Sequence, residues 1–255
     1  MVPVFKPNED SLSETLVSIK HQIGVLVTII IVLDGEEAKA EEMVRRLIER
    51  HDLSGSTKFL IKPVRSGVAK ARNTGMKMVQ TEFFSWLDAH DIIHPLRSLH
   101  SILLMLTNDS DRVNTLYARF ESTSKKIMLA NLKAELEGPH SFISKTDLLN
   151  QYGYLKDRPR HEDTEYLNRL NYFNLPMIND TVVAHFCELN ANAGKGEHLS
   201  DDLRSDIHTF ITNCDIGGAY KASSTVSRLT QDDKDQLYYM KLQSELAYKY
   251  FPCSE

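Results

Sequence analysis

The chain has 255 residues, which suits one large domain or one domain with a small appendage. Its 42% apolar, 25% charged and 8% aromatic content excludes a disordered, collagen-like or disulfide-built chain. Thirty basic against thirty-five acidic side chains leave a net charge of −5, which provides no field for a polyanion and argues against nucleic acid as a partner. Cys187, Cys214 and Cys253 are odd in number and show no short metal-type spacing, so they read as free thiols in a reducing compartment. The most apolar stretch, residues 23–33, falls short of the roughly 20 residues needed to span a bilayer. It also follows acidic residues rather than a basic start, so a cytoplasmic protein is expected.

In chain order, residues 2–5 form a short apolar run closed by Lys6-Pro7-Asn8, a strand ending in a turn. Ser11 or Ser13 would cap a helix running toward His21. Residues 25–33 are rich in β-branched side chains and stop at Asp34-Gly35, which reads as a strand buried on both faces. Ala40, Val44, Leu47, Ile48 and His51 then recur at helical spacing. A third strand at 59–61 ends before Pro63, and Ser66-Gly67 opens a helix with Val68, Ala71, Gly75 and Val79 inside. Residues 83–87 give a fourth strand running into Asp88. Pro95 sits where a first-turn helical proline belongs, ahead of Leu96, Leu99, Leu103 and Leu106. Strand followed by helix, four times, predicts an α/β fold with a mostly parallel central sheet flanked by helices. The second half is less regular: a strand at 113–120, a strand turning into a helix over 141–149, a helix at 162–170, and mainly helices from Ser200 onward. In such sheets ligands bind outside the carboxyl ends of the strands, which here carry Lys6 to Asn8, Asp34 and Asp88 to Asp91.

Three clusters carry candidate chemistry. Asp88-Ala89-His90-Asp91 follows an apolar strand directly; Asp88 and His90 would share a divalent cation, or the cluster is a polar loop with Asp91 capping the next helix. Arg65, Gly67 and Arg72 surround a helix start that would hold a phosphate, or present a solvated basic face. Glu162-Asp163 opens another helix. Adjacent carboxylates point to different sides, so one reaches a substrate while the other pairs or caps; the plain alternative is two acids favoured by the helix dipole.

The order of these pieces resembles glycosyltransferase family 2, enzymes of the GT-A fold that use nucleotide-diphospho-sugars. Over roughly residues 1–190, Ile29 to Gly35 reads IIIVLDG where the family has a strand ending Asp-Asp-Gly-Ser, with Leu33 in place of the first Asp. The family's Gly-x-x-x-Ala-Arg-Asn is matched by Gly67, Ala71, Arg72 and Asn73, and its Asp-Ala-Asp-Asp by Asp88-Ala89-His90-Asp91. FISKTDLLNQYGYL at 142–155 and the Glu162-Asp163 helix start complete the series.

The resemblance implies a GT-A domain over residues 1–199 and a helical C-terminal extension over 200–255. It implies that Asp34, with Lys6 and Pro7, lines the nucleoside pocket, with Arg65, Gly67, Arg72 and Asp88 also on the nucleotide. Asp88 and His90 would face the diphosphate through Mn²⁺ or Mg²⁺, the imidazole favouring Mn²⁺. Asp163 would be the base of an inverting transfer, with Asp91 and Glu162 in support. His185, closing the run Val182-Val183-Ala184-His185, is either a third metal ligand or a satisfied core histidine. Residues 190–198 read as a loop closing over nucleotide or as a plain connector. Tyr239, Leu242, Leu246 and Tyr250 form a helical stripe that packs on the domain body, or else contacts a second copy or a membrane surface. The expected partners are a UDP-sugar donor and a carbohydrate or glycolipid acceptor in surface polysaccharide assembly. A sugar-nucleotide pyrophosphorylase would want a glycine-rich loop after the first strand, which Phe5-Lys6-Pro7-Asn8-Glu9 lacks. The competing reading from another class is a nucleotide-binding scaffold derived from such an enzyme, suggested by Leu33 and His90.

Overall fold

The computed structural model describes residues 1–35, 37–121, 127–129, 141–158, 162–189 and 197–198. The C-terminal extension 200–255, with its Tyr239 to Tyr250 stripe, Cys214 and Cys253, lies outside them, as does 190–196 of the loop.

Three parallel strands form the first sheet: β1 (Val2–Val4), β2 (Ile29–Asp34) and β3 (Thr57–Lys62), in the order β1-β2-β3. All six β2 residues are buried. The predicted strand began at residue 25, but pairing starts at Ile29, which faces Thr57, the first residue of β3. Between the strands lie α1 (Glu9–Lys20) and α2 (Ala38–Arg50). The cap of α1 is Asn8 rather than Ser11 or Ser13: its Oδ1 accepts the Ser11 N–H at 3.0 Å, and Glu9 and Asp10 complement the helix dipole. On α2, Ala40, Val44, Leu47 and Ile48 are buried at the predicted spacing, each contributing up to about 2 kcal/mol as an apolar side chain. His51 ends that helix instead of joining its stripe, and its Nε2 meets Ser13 Oγ at 2.8 Å.

Helix α3 (Val68–Met76) buries Ala71 and Gly75 of the predicted face, together with Ala69, Arg72 and Met76, and Val79 beyond it packs on the core, while Val68 is exposed. A Cβ on Gly75 would come within 3.2 Å of Val32, so glycine lets this helix approach β2 closely.

The second sheet takes its strands from β4 (Phe83–Phe84) onward: β5 (Ile92–Ile93), β6 (Arg112–Glu121), β7 (Ile127–Leu129), β8 (Phe142–Lys145), β9 (Met177–Leu189) and β10 (Glu197–His198). Helices α4 (Arg97–Thr107), α5 (Asp147–Tyr152) and α6 (Glu162–Tyr172) lie among them. Pro95 stands two residues before α4 rather than in its first turn. The path is β10-β7-β6-β8-β4, with β9 on β6 and β5 on β9. The mostly parallel expectation therefore holds for the first sheet only. In the second, every pairing is antiparallel except β6 with β9, the pair whose connection includes two helices. Hydrogen bonds join the sheets at Met1: its amino nitrogen donates to the Ser85 carbonyl and the Leu87 N–H donates to its carbonyl, both at 2.9 Å. This is a parallel bridge, so β1, β2, β3, β4, β6 and β9 all run the same way. Below the bridge, Trp86 packs against Phe142 and Tyr166 with ring centroids 4.1 and 5.8 Å apart.

Candidate active site

Because those strands are co-directional, their carboxyl ends share one rim. At the end of β2, Asp34 is buried, and its Oδ1 accepts from Ser66 N–H (2.9 Å) and Ser66 Oγ–H (2.7 Å), its Oδ2 from Gly67 N–H (2.8 Å). Gly67 has φ +91°, which only glycine adopts readily, and this lets two successive amides turn onto one carboxylate. The anion held before α3 is thus the protein's own Asp34. Beside it opens a cavity of about 330 Å³ lined by residues including Phe5, Lys6, Asp34, Glu37 and Arg65. The Arg65 guanidinium stacks over the Phe5 ring at 4.1 Å, and Lys6, at φ +44°, turns the chain out of β1. Pro7 follows that turn, half-buried. A larger cavity of about 620 Å³ lies at the opposite edge, by Met1, Leu26, Ile29 and Phe83, and contains none of the predicted site residues.

Arg72 occupies a different place from the one its position at a helix start suggested. Its side chain is 3% exposed and bridges two carboxylates, Asp88 Oδ1 and Glu162 Oε1, each at 2.7 Å, with the guanidinium 5.3 Å from the Trp86 ring. Burial works to lower the Arg72 pKa, but Asp88, Glu162 and Asp163 outweigh it and the net shift is upward. The cation is therefore permanent, and its donors are directed to protein carboxylates rather than to a phosphate. The next residue, Asn73, pairs with the Leu155 backbone in both directions, at 2.8 and 3.0 Å, tying α3 to the segment that leads to α6.

In the turn after β4, Asp88 and His90 have side chains 27% and 34% exposed, whereas Asp91 is buried. Asp91 does not cap α4, whose N-cap is Leu96 with no side-chain bond. It faces inward, where Oδ2 meets His185 Nε2 at 2.9 Å and Oδ1 accepts the Glu188 N–H at 3.1 Å. A divalent cation fits the crevice pair by donor chemistry, one carboxylate and one imidazole on an open rim. His185 stands behind them: it is 1% exposed, within electrostatic reach of Asp88 and His90, and grouped with Asp91 and Cys187. Its Nε2 meets Asp91 Oδ2, as a core histidine would, and its ring stands beside the turn that carries Asp88 and His90, as a third ligand would. Burial first, then Arg97, hold its pKa well below the usual imidazole range. Cys187 is the residue missed by sequence reasoning. The spacing His-x-Cys on a strand puts both side chains on one face, a signal hidden because the extent of β9 was not recognised.

At the start of α6 the two acids separate. Glu162 is buried on Arg72, while Asp163 is partly exposed and lies within electrostatic reach of Arg72 and of Tyr117 on β6. Asp163 Oδ1 accepts the Thr164 N–H at 2.6 Å, which fixes its rotamer at the helix start. The structure thus brings Asp88, Arg72, Glu162 and Asp163 together through one guanidinium, with His90 and Asp91 beside them. Lys6, Asp34 and Arg65 form the neighbouring cavity.

A Rossmann-like sheet with strand-end carboxylates along one rim is the GT-A architecture. The family profile of glycosyl transferase family 2 matches residues 1–162, and the chain belongs to that family. A glycosyltransferase of Haemophilus influenzae, described as uncharacterized, is 23% identical over 137 residues, covering 54% of this chain and 53% of that protein. The match thus spans about half the length of that relative. Among solved structures, S. aureus TarS superposes with a TM-score of 0.58 at 15% identity, covering 97% of this chain and 43% of that one. Its 1–349 fragment in complex with UDP-GlcNAc gives 0.58 at 18% identity, covering 97% and 72%.

Proposed function

We propose that the protein transfers a sugar from a nucleotide-diphospho-sugar, a UDP-sugar, to a hydroxyl of a carbohydrate or lipid-linked acceptor, with inversion, in surface polysaccharide assembly. The observation that carries this reading is the Arg72 bridge. It holds the strand-end carboxylate Asp88 and the α6 start at Glu162 on one cation, 2.7 Å from each, with Asp163 within electrostatic reach of the same guanidinium. Structures of TarS with UDP and with UDP-GlcNAc support the choice of donor.

In this reading the nucleoside enters the cavity beside Asp34, between Phe5, Lys6 and Arg65. Asp34 acts there by holding the Ser66–Gly67 turn. Asp88 and His90 hold a divalent cation, Mn²⁺ before Mg²⁺, which when bound offsets charge on the diphosphate. Asp163 accepts the proton of the acceptor hydroxyl as its oxygen bonds to the anomeric carbon and the carbon–phosphate-oxygen bond breaks, releasing the nucleoside diphosphate. Glu162, paired with Arg72, supports the arrangement rather than reacting. Among the described residues no helix is long and apolar enough to cross a membrane.

Calorimetry with UDP, with and without Mn²⁺, and a donor-hydrolysis assay test the proposal. Mn²⁺-dependent UDP binding together with donor turnover is expected. Binding without turnover under any acceptor would favour the scaffold reading, to which Leu33, buried where the family has a carboxylate, lends its support.

A further inference from the structure

The larger cavity, at the edge of the molecule away from the crevice, holds nothing that the transfer chemistry uses. Its volume of about 620 Å³ falls within the roughly 300–1,000 Å³ usual for small-molecule sites. It opens at the amino ends of β2 and β4, whose first residues, Ile29 and Phe83, both line it. Toward solvent stand Leu26, fully exposed, with Lys58 and Glu82, one charge of each sign. The buried part of the wall is mostly aliphatic, with Ile29 and Ile93, and among the described residues it carries one charged side chain, Arg97.

Arg97 is 2% exposed. Its guanidinium donates to uncharged acceptors, Ser85 Oγ at 3.2 Å and the Phe142 carbonyl at 3.0 Å, while its Nε is buried with no hydrogen-bond partner. Among the described residues no carboxylate forms an ion pair with it. Asp91, which bears on it electrostatically, is engaged by His185 Nε2 and the Glu188 N–H. Burial lowers the Arg97 pKa to about 10 against the pull of Cys187 and Asp91, so its charge is incompletely compensated. A desolvated cation of this kind costs free energy until an anion reaches it.

We propose that this cavity binds a single-chain fatty carboxylate, its head on Arg97 and its acyl tail along Ile93, Ile29 and Phe83 toward Leu26. The planar fork of the guanidinium matches a carboxylate, and the aliphatic wall matches a tail. A sugar or nucleotide would leave hydroxyls unmatched against that wall. A bilayer surface fits less well, because the cation it would need lies buried rather than at the mouth. The wall includes Ser85 and Leu87, the residues that hold Met1, so a bound ligand braces the seam between the sheets. The inference stands on this cavity and does not depend on the transferase reading.

Titration calorimetry of the full chain with octanoate, decanoate and dodecanoate, each as monomer, tests it. Dodecanoate should bind once per chain and raise the melting temperature. Each added methylene should tighten binding about fourfold until the cavity is full. Decanol, of equal length but uncharged, should bind at least about tenfold more weakly than decanoate. Leu26→Asp, at the exposed mouth, should weaken dodecanoate at least about tenfold while leaving the melting temperature of the free protein unchanged. Arg97→Gln should erase the preference for decanoate over decanol; if that variant does not fold, the wild-type ratio decides the same point. A chain that melts cooperatively yet binds no dodecanoate overturns the site. So does an affinity independent of tail length, decanol bound as tightly as decanoate, or dodecanoate held equally well by Leu26→Asp. Binding to phosphatidylglycerol vesicles without uptake of monomeric carboxylate would overturn it in favour of a membrane surface.

Discussion

The parallel sheet β1–β3 and the mixed sheet behind it meet at the Met1–Trp86 bridge, yet they bury different things. Around β2 the interior is Val2, Val4, Leu12, Leu16, Ile31, Leu33, Val44 and Leu47, an aliphatic core with Asp34 at its rim. The mixed sheet and α4 enclose Asp91, His94, Arg97, His100, Arg112 and His185. Buried charge is costly unless paired, and it contributes little net stability even when paired. The contrast teaches a division of labour: the first sheet keeps its site groups at the rim, where Asp34 stands, and the second buries polar groups within it at a net cost in stability.

That division is open to attack from several sides. The largest expected effect is at the seam. Asp163→Asn should lower transfer about 10²- to 10⁴-fold with UDP affinity retained, measured by steady-state kinetics beside calorimetry. Retained turnover would remove the base from α6. Arg72→Met should destabilise the fold by about 3–5 kcal/mol in urea titration, because it leaves Glu162 buried and uncompensated. Arg72→Lys should restore only part, since a single ammonium does not reproduce a planar fork across two carboxylates. In the aliphatic half, Leu47→Ala should cost about 2–5 kcal/mol through its cavity while leaving UDP affinity unchanged. A change in nucleotide binding would show that the aliphatic core is not separable from the site.

A smaller effect concerns acid. Burial, and then His100, lower the His94 pKa to about 4. The unfolded chain takes up that proton near pH 6.5, so between about 6.5 and 4 protons favour the unfolded state. Stability should fall by up to about 3 kcal/mol as pH drops through that window, and the slope should flatten in His94→Gln. Smallest is the α1 cap: Asn8→Ala should cost about 1 kcal/mol, read from the urea midpoint.

Much of the first half was legible in the sequence. The stripe Ala40, Val44, Leu47, Ile48 and the run ending at Asp34 are local periodicities, and local periodicity fixes which face is buried. Helix α3 was legible in position and in the burial of Ala71 and Gly75, but the burial of Arg72 was not. That side chain reaches Asp88 and Glu162, the second of them 90 residues away, a pairing that hydrophobic spacing does not encode. Within the site, the separation of Glu162 from Asp163 follows from helix geometry, and the openness of Asp88 and His90 from their place at a strand end. The long strand β9 was missed because its pairing with β6 joins residues such as Tyr117 and His185, far apart in the chain.

The sequence by itself determined the βα alternation, the rim on which the carboxylates gather and the family, because each rests on short-range pattern or motif order. Only the tertiary structure decided that Asp34 holds the Ser66–Gly67 turn, that Arg72 is a clamp, and that His185 turns to Asp91 and Cys187. Those outcomes depend on which polar groups are left without water when distant segments pack. Each buried donor or acceptor must then find a partner wherever the fold brings one within about 3 Å.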